Sequence, residues 1–93
     1  MPRYVIERDI PDIGSAECEA LREAAEKSNG VLAEMKSEKN IQWEHSYVAG
    51  DKTFCICLAE AEGLIEEHAE RSGFPATKVT EVRKMIDPVT AED

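Results

Sequence analysis

Ile41-Gln42-Trp43-Glu44-His45-Ser46-Tyr47-Val48, the link Ala49-Gly50-Asp51 and Thr53-Phe54-Cys55-Ile56-Cys57-Leu58 are the part of the sequence that decides the fold. Both runs are short, rich in β-branched and aromatic residues, and separated by a Gly-Asp connection, which together signal a β-hairpin. On the amino side, Tyr4 to Asp9 reads as a strand closed by Pro11, and Asp12-Ile13-Gly14 as a turn. Ser15 is a helix N-cap candidate, with Glu17 and Glu19 near the positive end of the dipole. Cys18, Leu21, Ala25, Leu32 and Met35 recur at near-helical spacing, which predicts one long helix to about Lys36, with a break near Gly30 as the alternative. Ser37 to Asn40 is a polar connection.

On the carboxyl side, Ala61, Leu64, Ile65, Ala69 and Ser72 form the inner stripe of a second helix, which Gly73 stops and Pro75 follows. Lys78 to Ile86 is the last strand, Asp87-Pro88 ends it, and Thr90 to Asp93 is a frayed tail. The order β-α-β-β-α-β is the split βαβ arrangement, so the expected fold is an α+β, ferredoxin-like sandwich. Two helices cover one face of a four-stranded antiparallel sheet whose first strand lies between the third and the last. Nothing suggests a repeat or an internal linker, and residues 1–93 are expected to form a single domain.

Eleven Lys and Arg against 20 Asp and Glu give a net charge of −9. That balance argues against nucleic acid and anionic membranes, which both attract basic proteins. It suits solubility, cation attraction or a basic partner. No apolar run approaches the length of a membrane span, and the amino end lacks a signal-peptide core. Three cysteines, Cys18, Cys55 and Cys57, do not make a closed disulfide set, so the expectation is a reducing, cytoplasmic location.

Alternation sorts candidate functional groups by sheet face. Phe54, Ile56 and Leu58 are expected against the helices, with Tyr4 and Ile6 and with Val82 and Ile86. The open face then receives Val5, Glu7, Thr53, Cys55, Cys57, Val79, Glu81 and Arg83, joined by Trp43, His45 and Tyr47. His45, Glu7, Cys55 and Glu81 would gather there, and imidazole, thiolate and carboxylate together suit a borderline divalent ion such as nickel or zinc. Blander readings stand beside this one. His45 can be a hydrogen-bonded core histidine, Cys55 and Cys57 small buried residues, and Glu7 and Glu81 partners of Arg8 or Arg83. Cys18 reads as core packing despite its place near a helix N-terminus, and His68 as the edge of an apolar stripe. The exposed Val5, Trp43, Tyr47 and Val79 would be a costly apolar patch, which predicts a sheet-to-sheet homodimer.

Several stretches carry a resemblance: Met1-Pro2-Arg3-Tyr4-Val5-Ile6-Glu7-Arg8, Trp43-Glu44-His45-Ser46-Tyr47-Val48, Asp51-Lys52-Thr53-Phe54-Cys55, Gly73-Phe74-Pro75, Val79-Thr80-Glu81-Val82 and Asp87-Pro88. They resemble a family of small ferredoxin-like domains, mostly without assigned function, one branch of which is described as nickel-binding and nickel-responsive in actinobacteria. The resemblance runs nearly end to end. It implies a dimeric sandwich, and it implies that His45 with nearby acidic groups is where a divalent metal, nickel among the candidates, would bind. The sequence thus supports three functions: a metal-binding protein, a non-catalytic regulatory or interaction module, and a small cofactor-independent monooxygenase- or isomerase-like enzyme. In the last, His45 would be the general base and Tyr47 a proton donor.

Overall fold

The structure is a computed structural model, and it describes residues 1–36 and 40–92. Strands β1 (Arg3–Asp9), β2 (Ile41–Val48), β3 (Lys52–Ala59) and β4 (Lys78–Val82) alternate with helices α1 (Cys18–Lys36) and α2 (Glu62–Ser72) in the expected β-α-β-β-α-β order. The sheet is antiparallel with strand order β2-β3-β1-β4. Most of the expected connection between α1 and β2, at 37–39, lies outside the described residues.

Helix α1 starts at Cys18, later than Ser15, because Ile13–Ser15 forms a separate 3₁₀ turn. It then continues without interruption through Asn29-Gly30, where the glycine keeps an ordinary backbone conformation. Cys18 is exposed at the first turn, so the core role expected for it is corrected. Helix α2 ends as the sequence predicts: Gly73 takes a left-handed conformation (φ 79°) and its N–H donates to the Ala69 carbonyl at 2.9 Å. Strand β4 is shorter than expected, stopping at Val82, and the chain closes in a 3₁₀ turn, Pro88–Glu92.

The core lies between sheet and helices. Tyr4 and Ile6 of β1, Cys57 and Ala59 of β3 and Ile41 of β2 meet Leu32 and Met35 of α1 and Ile65 of α2. Register fixes which residues share this face. Tyr4 pairs with Cys57, Ile6 with Cys55 and Arg8 with Thr53, while Val5 pairs with Ile56 and Glu7 with Phe54. The faces expected for β3 are therefore reversed: Cys55 and Cys57 lie beneath the helices, and Phe54, Ile56 and Leu58 on the open face. The physical reason is that both sets are apolar, so hydrophobicity does not choose between them. The register with β1 chooses, and it places the smaller side chains under the helices. Strand β4 is reversed likewise, since Ile6 pairs with Val79 and Tyr4 with Glu81, leaving Val82 on the open face.

In β2 the register shifts between Trp43 and His45. Trp43 pairs with Cys57 and Ser46 with Cys55, whereas His45 and Tyr47 sit opposite Ile56 and Phe54. This β-bulge accommodates an extra residue and sends Trp43 beneath the helices while His45 and Tyr47 stay on the open face. Trp43 and Val79 thus leave the apolar patch expected there. Phe54, Ile56 and Leu58 replace them beside Val5, all four half-buried, next to a Tyr47 that is 63% exposed.

Candidate functional site

The four groups expected to hold a metal are divided between two faces. Glu7 and His45 lie on the open face, Cys55 and Glu81 on the helix face. Glu7 pairs with Phe54 and Lys78 rather than lying beside Cys55 and Glu81, and Ser46, not His45, is opposite Cys55. The acidic groups also have partners. Glu7 is 3.6 Å from Lys52 Nζ, and Glu81 is 3.8 Å from Arg83 Nε. His45 is exposed, with its ring edge-on to Tyr47 at 5.1 Å. Beside it on the bulge, Glu44 accepts from Arg3 Nε at 2.6 Å and Arg3 Nη2 at 3.2 Å. That hydrogen bond, helped by the charge of Arg3, holds the Glu44 carboxyl below the ordinary carboxylate range. Among the described residues no three His, Cys, Asp or Glu side chains are grouped so that they could hold a metal ion. The described residues therefore do not fit a metal centre within one copy of the chain.

The helix face holds a different kind of site. Between the sheet and the helices is a cavity of about 450 Å³. Its apolar wall includes Ile10, Ile13, Leu21, Leu32 and Phe74, and it reaches the surface at residues such as Val48. Small residues make it possible: Thr53, Cys55 and Cys57 form its floor, and Ala24, Ala25 and Ser28 of α1 its roof. A volume in the range of organic-ligand pockets, apolar walls and a few polar groups are the ordinary attributes of a small-molecule site.

Arg8 and His68, both buried, enter this cavity. Arg8 continues the inward series Tyr4, Ile6 and is only 4% exposed. Its Nη1 donates to the carbonyls of Phe74 at 3.2 Å and Pro75 at 3.0 Å. Those carbonyls are presented by the turn after α2, where buried Ser72 accepts from the Phe74 N–H at 3.3 Å. His68, 5% exposed on α2, has Nε2 at 3.2 Å from Ser28 Oγ on α1. Burial first, and then the nearby Arg8 charge, lower the His68 pKa from 6.5, so its imidazole is neutral at neutral pH.

Apart from the exposed Asp9, the remaining polar wall is uncharged among the described residues. Trp43 Nε1 donates to Ser46 Oγ at 2.9 Å, and Thr53 Oγ1 lies 3.7 Å from Cys55 Sγ. Burial, reinforced by Cys55, pushes the Cys57 thiol up to about 12, so it stays protonated. Sequence reasoning passed over Arg8 and Ser28 as site residues and gave His68 a minor role. The signal for Arg8 was present: a charged residue on the inward parity of an otherwise apolar strand.

Comparison with curated proteins found no match. Among solved structures, that of SCO4226 from Streptomyces coelicolor A3(2) is similar in fold, with a TM-score of 0.72 over 90% of this chain and 99% of that one. The two are 17% identical, so this likeness concerns the fold alone. A family profile described as "Nickel responsive protein SCO4226-like" matches residues 4–82. The chain therefore belongs to the SCO4226-like family of nickel-responsive proteins.

Proposed function

We propose that this chain is a small ligand-binding protein that takes an organic molecule between its sheet and its helices. One observation carries the reading: an apolar cavity of about 450 Å³ into which a buried arginine and a buried histidine project. The apolar wall of this open cavity is surface that an organic molecule would cover, a gain roughly proportional to the apolar area removed from water. The buried Cys57 thiol stays protonated and so offers no nucleophile, which suits a site that binds. The test is titration with 8-anilinonaphthalene-1-sulfonate, an aromatic dye with one sulfonate charge, against wild type and Ala25→Phe, which fills the roof. Saturable one-to-one binding that Ala25→Phe abolishes supports the proposal. Absence of saturable binding, or binding indifferent to Ala25→Phe, refutes it.

A second reading is capture of a divalent metal, nickel above all, on the open face. It is favoured by the family description and by the exposed His45, whose ring nitrogens have no hydrogen-bond partner among the described residues. Since the described residues of one copy lack a ligand set, His45 and Glu7 would need ligands from a second copy, in a homodimer joined through this face. The unpaired cysteines suit a cytoplasmic protein, and the charge of −9 suits one without a nucleic-acid partner. Calorimetric titration with nickel checks the metal: half-molar stoichiometry lost in His45→Ala is expected, and unchanged heats in that variant reject it.

A further inference from the structure

The ligand-site reading leaves one group unexplained. Arg8 carries a full charge at 4% exposure. Only its Nη1 has hydrogen-bond acceptors, both of them main-chain carbonyls, and its Nε and Nη2 donate to nothing among the described residues. No carboxylate of the described residues lies within ion-pair distance of it. Asp9, the acidic residue of the cavity wall, is exposed and lies 3.8 Å from Lys52 Nζ. A charge at such low exposure without a counter-charge is unfavourable, and native proteins pair such groups. Here the unpaired guanidinium fronts a cavity of ligand size.

We propose that the cavity binds an organic monocarboxylate, an apolar body bearing one carboxylate that meets the free edge of the Arg8 guanidinium. This rests on the cavity being a ligand site and specifies its ligand. A guanidinium offers parallel N–H donors that match the two oxygens of a carboxylate. The charge count selects a single negative charge: Arg8 is the one cation in the wall among the described residues, and His68 adds none while neutral. A phosphate monoester would bring a second negative charge into an apolar cavity with no second cation among the described residues to meet it. The walls around the guanidinium, Ile10, Leu21 and Phe74 among them, suit an alkyl or aryl body.

Trp43, the sole tryptophan, lines the cavity and reports occupancy by its fluorescence. Octanoate, octanol and octyl phosphate are titrated against wild type and Arg8→Met, with the Arg8 Nε–H resonance of the wild type followed by NMR. The expectation is octanoate about tenfold or more tighter than the other two, a preference lost in Arg8→Met, and a shift of the Nε–H resonance with octanoate alone. If octanol binds wild type as tightly as octanoate, the carboxylate inference falls while the cavity reading stands. If none binds, both fall. If octanoate keeps its advantage in Arg8→Met, or leaves the Nε–H resonance unmoved, Arg8 is not the recognition group. The resonance decides even should Arg8→Met not fold.

Discussion

Gly14 is where the loop after β1 rests on the β2–β3 hairpin, and replacing it with alanine tests that seating. Its N–H donates to the Gly50 carbonyl at 2.9 Å. Beside it, Ile10 N–H donates to the Asp51 carbonyl at 3.0 Å, and Asp12 N–H to Asp51 Oδ1 at 2.9 Å. A Cβ on Gly14 would collide with the Ala49 carbonyl oxygen and stand 2.9 Å from Gly50 Cα. Both are main-chain atoms of a tight turn, so no side chain can swing away, and the loop must lift. Lifting breaks up to three hydrogen bonds at about 1 kcal/mol each, and overpacking of this kind typically costs about 1–3 kcal/mol. Gly14→Ala should therefore lose about 2–3 kcal/mol, or roughly 10–20 °C in Tm for a domain of this length. Urea and thermal unfolding followed by circular dichroism measure it. Gly50→Ala is the control: a Cβ there meets nothing within 4 Å and its φ is not positive, so the change should stay within about 0.5 kcal/mol. A Gly14→Ala protein melting within about 3 °C of wild type would refute the seating.

Gly30→Ala should raise stability by about 0.5–1 kcal/mol, or roughly 2–8 °C in Tm, because the residue is inside α1 with open space where its Cβ would go; a lower Tm would deny that α1 is continuous there. Cys57, moved from 9.0 to about 12 by burial, holds about a thousandth of an ordinary thiolate population. Ellman's reagent should therefore modify exposed Cys18 first and Cys57 only on unfolding, and three thiols reacting together in the native protein would contradict this. His68 gives a pH dependence: Arg8 and Ser28 face its ring, and burial favours the neutral form in the fold, so the unfolded chain binds the extra proton. Stability should be full above the ordinary value of 6.5 and decline as pH falls through the lower folded value, and His68→Gln should flatten that decline in urea melts at stepped pH.

Much of the fold was legible because local chemistry and tertiary structure agreed. The β2 boundaries, the Gly73 stop and the place of β1 between β3 and β4 follow from patterns a chain shows by itself. The faces of β3 were not legible. Phe54, Ile56 and Leu58 alternate with Cys55, Cys57 and Ala59, so either set satisfies a hydrophobic face, and register is a long-range property. The bulge after Trp43 was equally hidden, since it adds a residue to β2 without a glycine or proline to mark it. The reversed faces of β3 and β4 dispersed the four expected metal ligands, taking Cys55 and Glu81 to the helix face while Glu7 and His45 kept the open one.

The feature that defeated the face assignment also makes the cavity. Had Phe54, Ile56 and Leu58 faced inward, their bulk would occupy the space that Thr53, Cys55 and Cys57 leave open beneath α1. Placing large side chains outward carries its own cost, since Val5, Phe54, Ile56 and Leu58 keep apolar surface in contact with water. A sequence selected only for stability would fill the inside first. This one leaves space around a buried arginine that has no counter-charge among the described residues and keeps bulk on the opposite side of the sheet, the arrangement that the proposed ligand site requires.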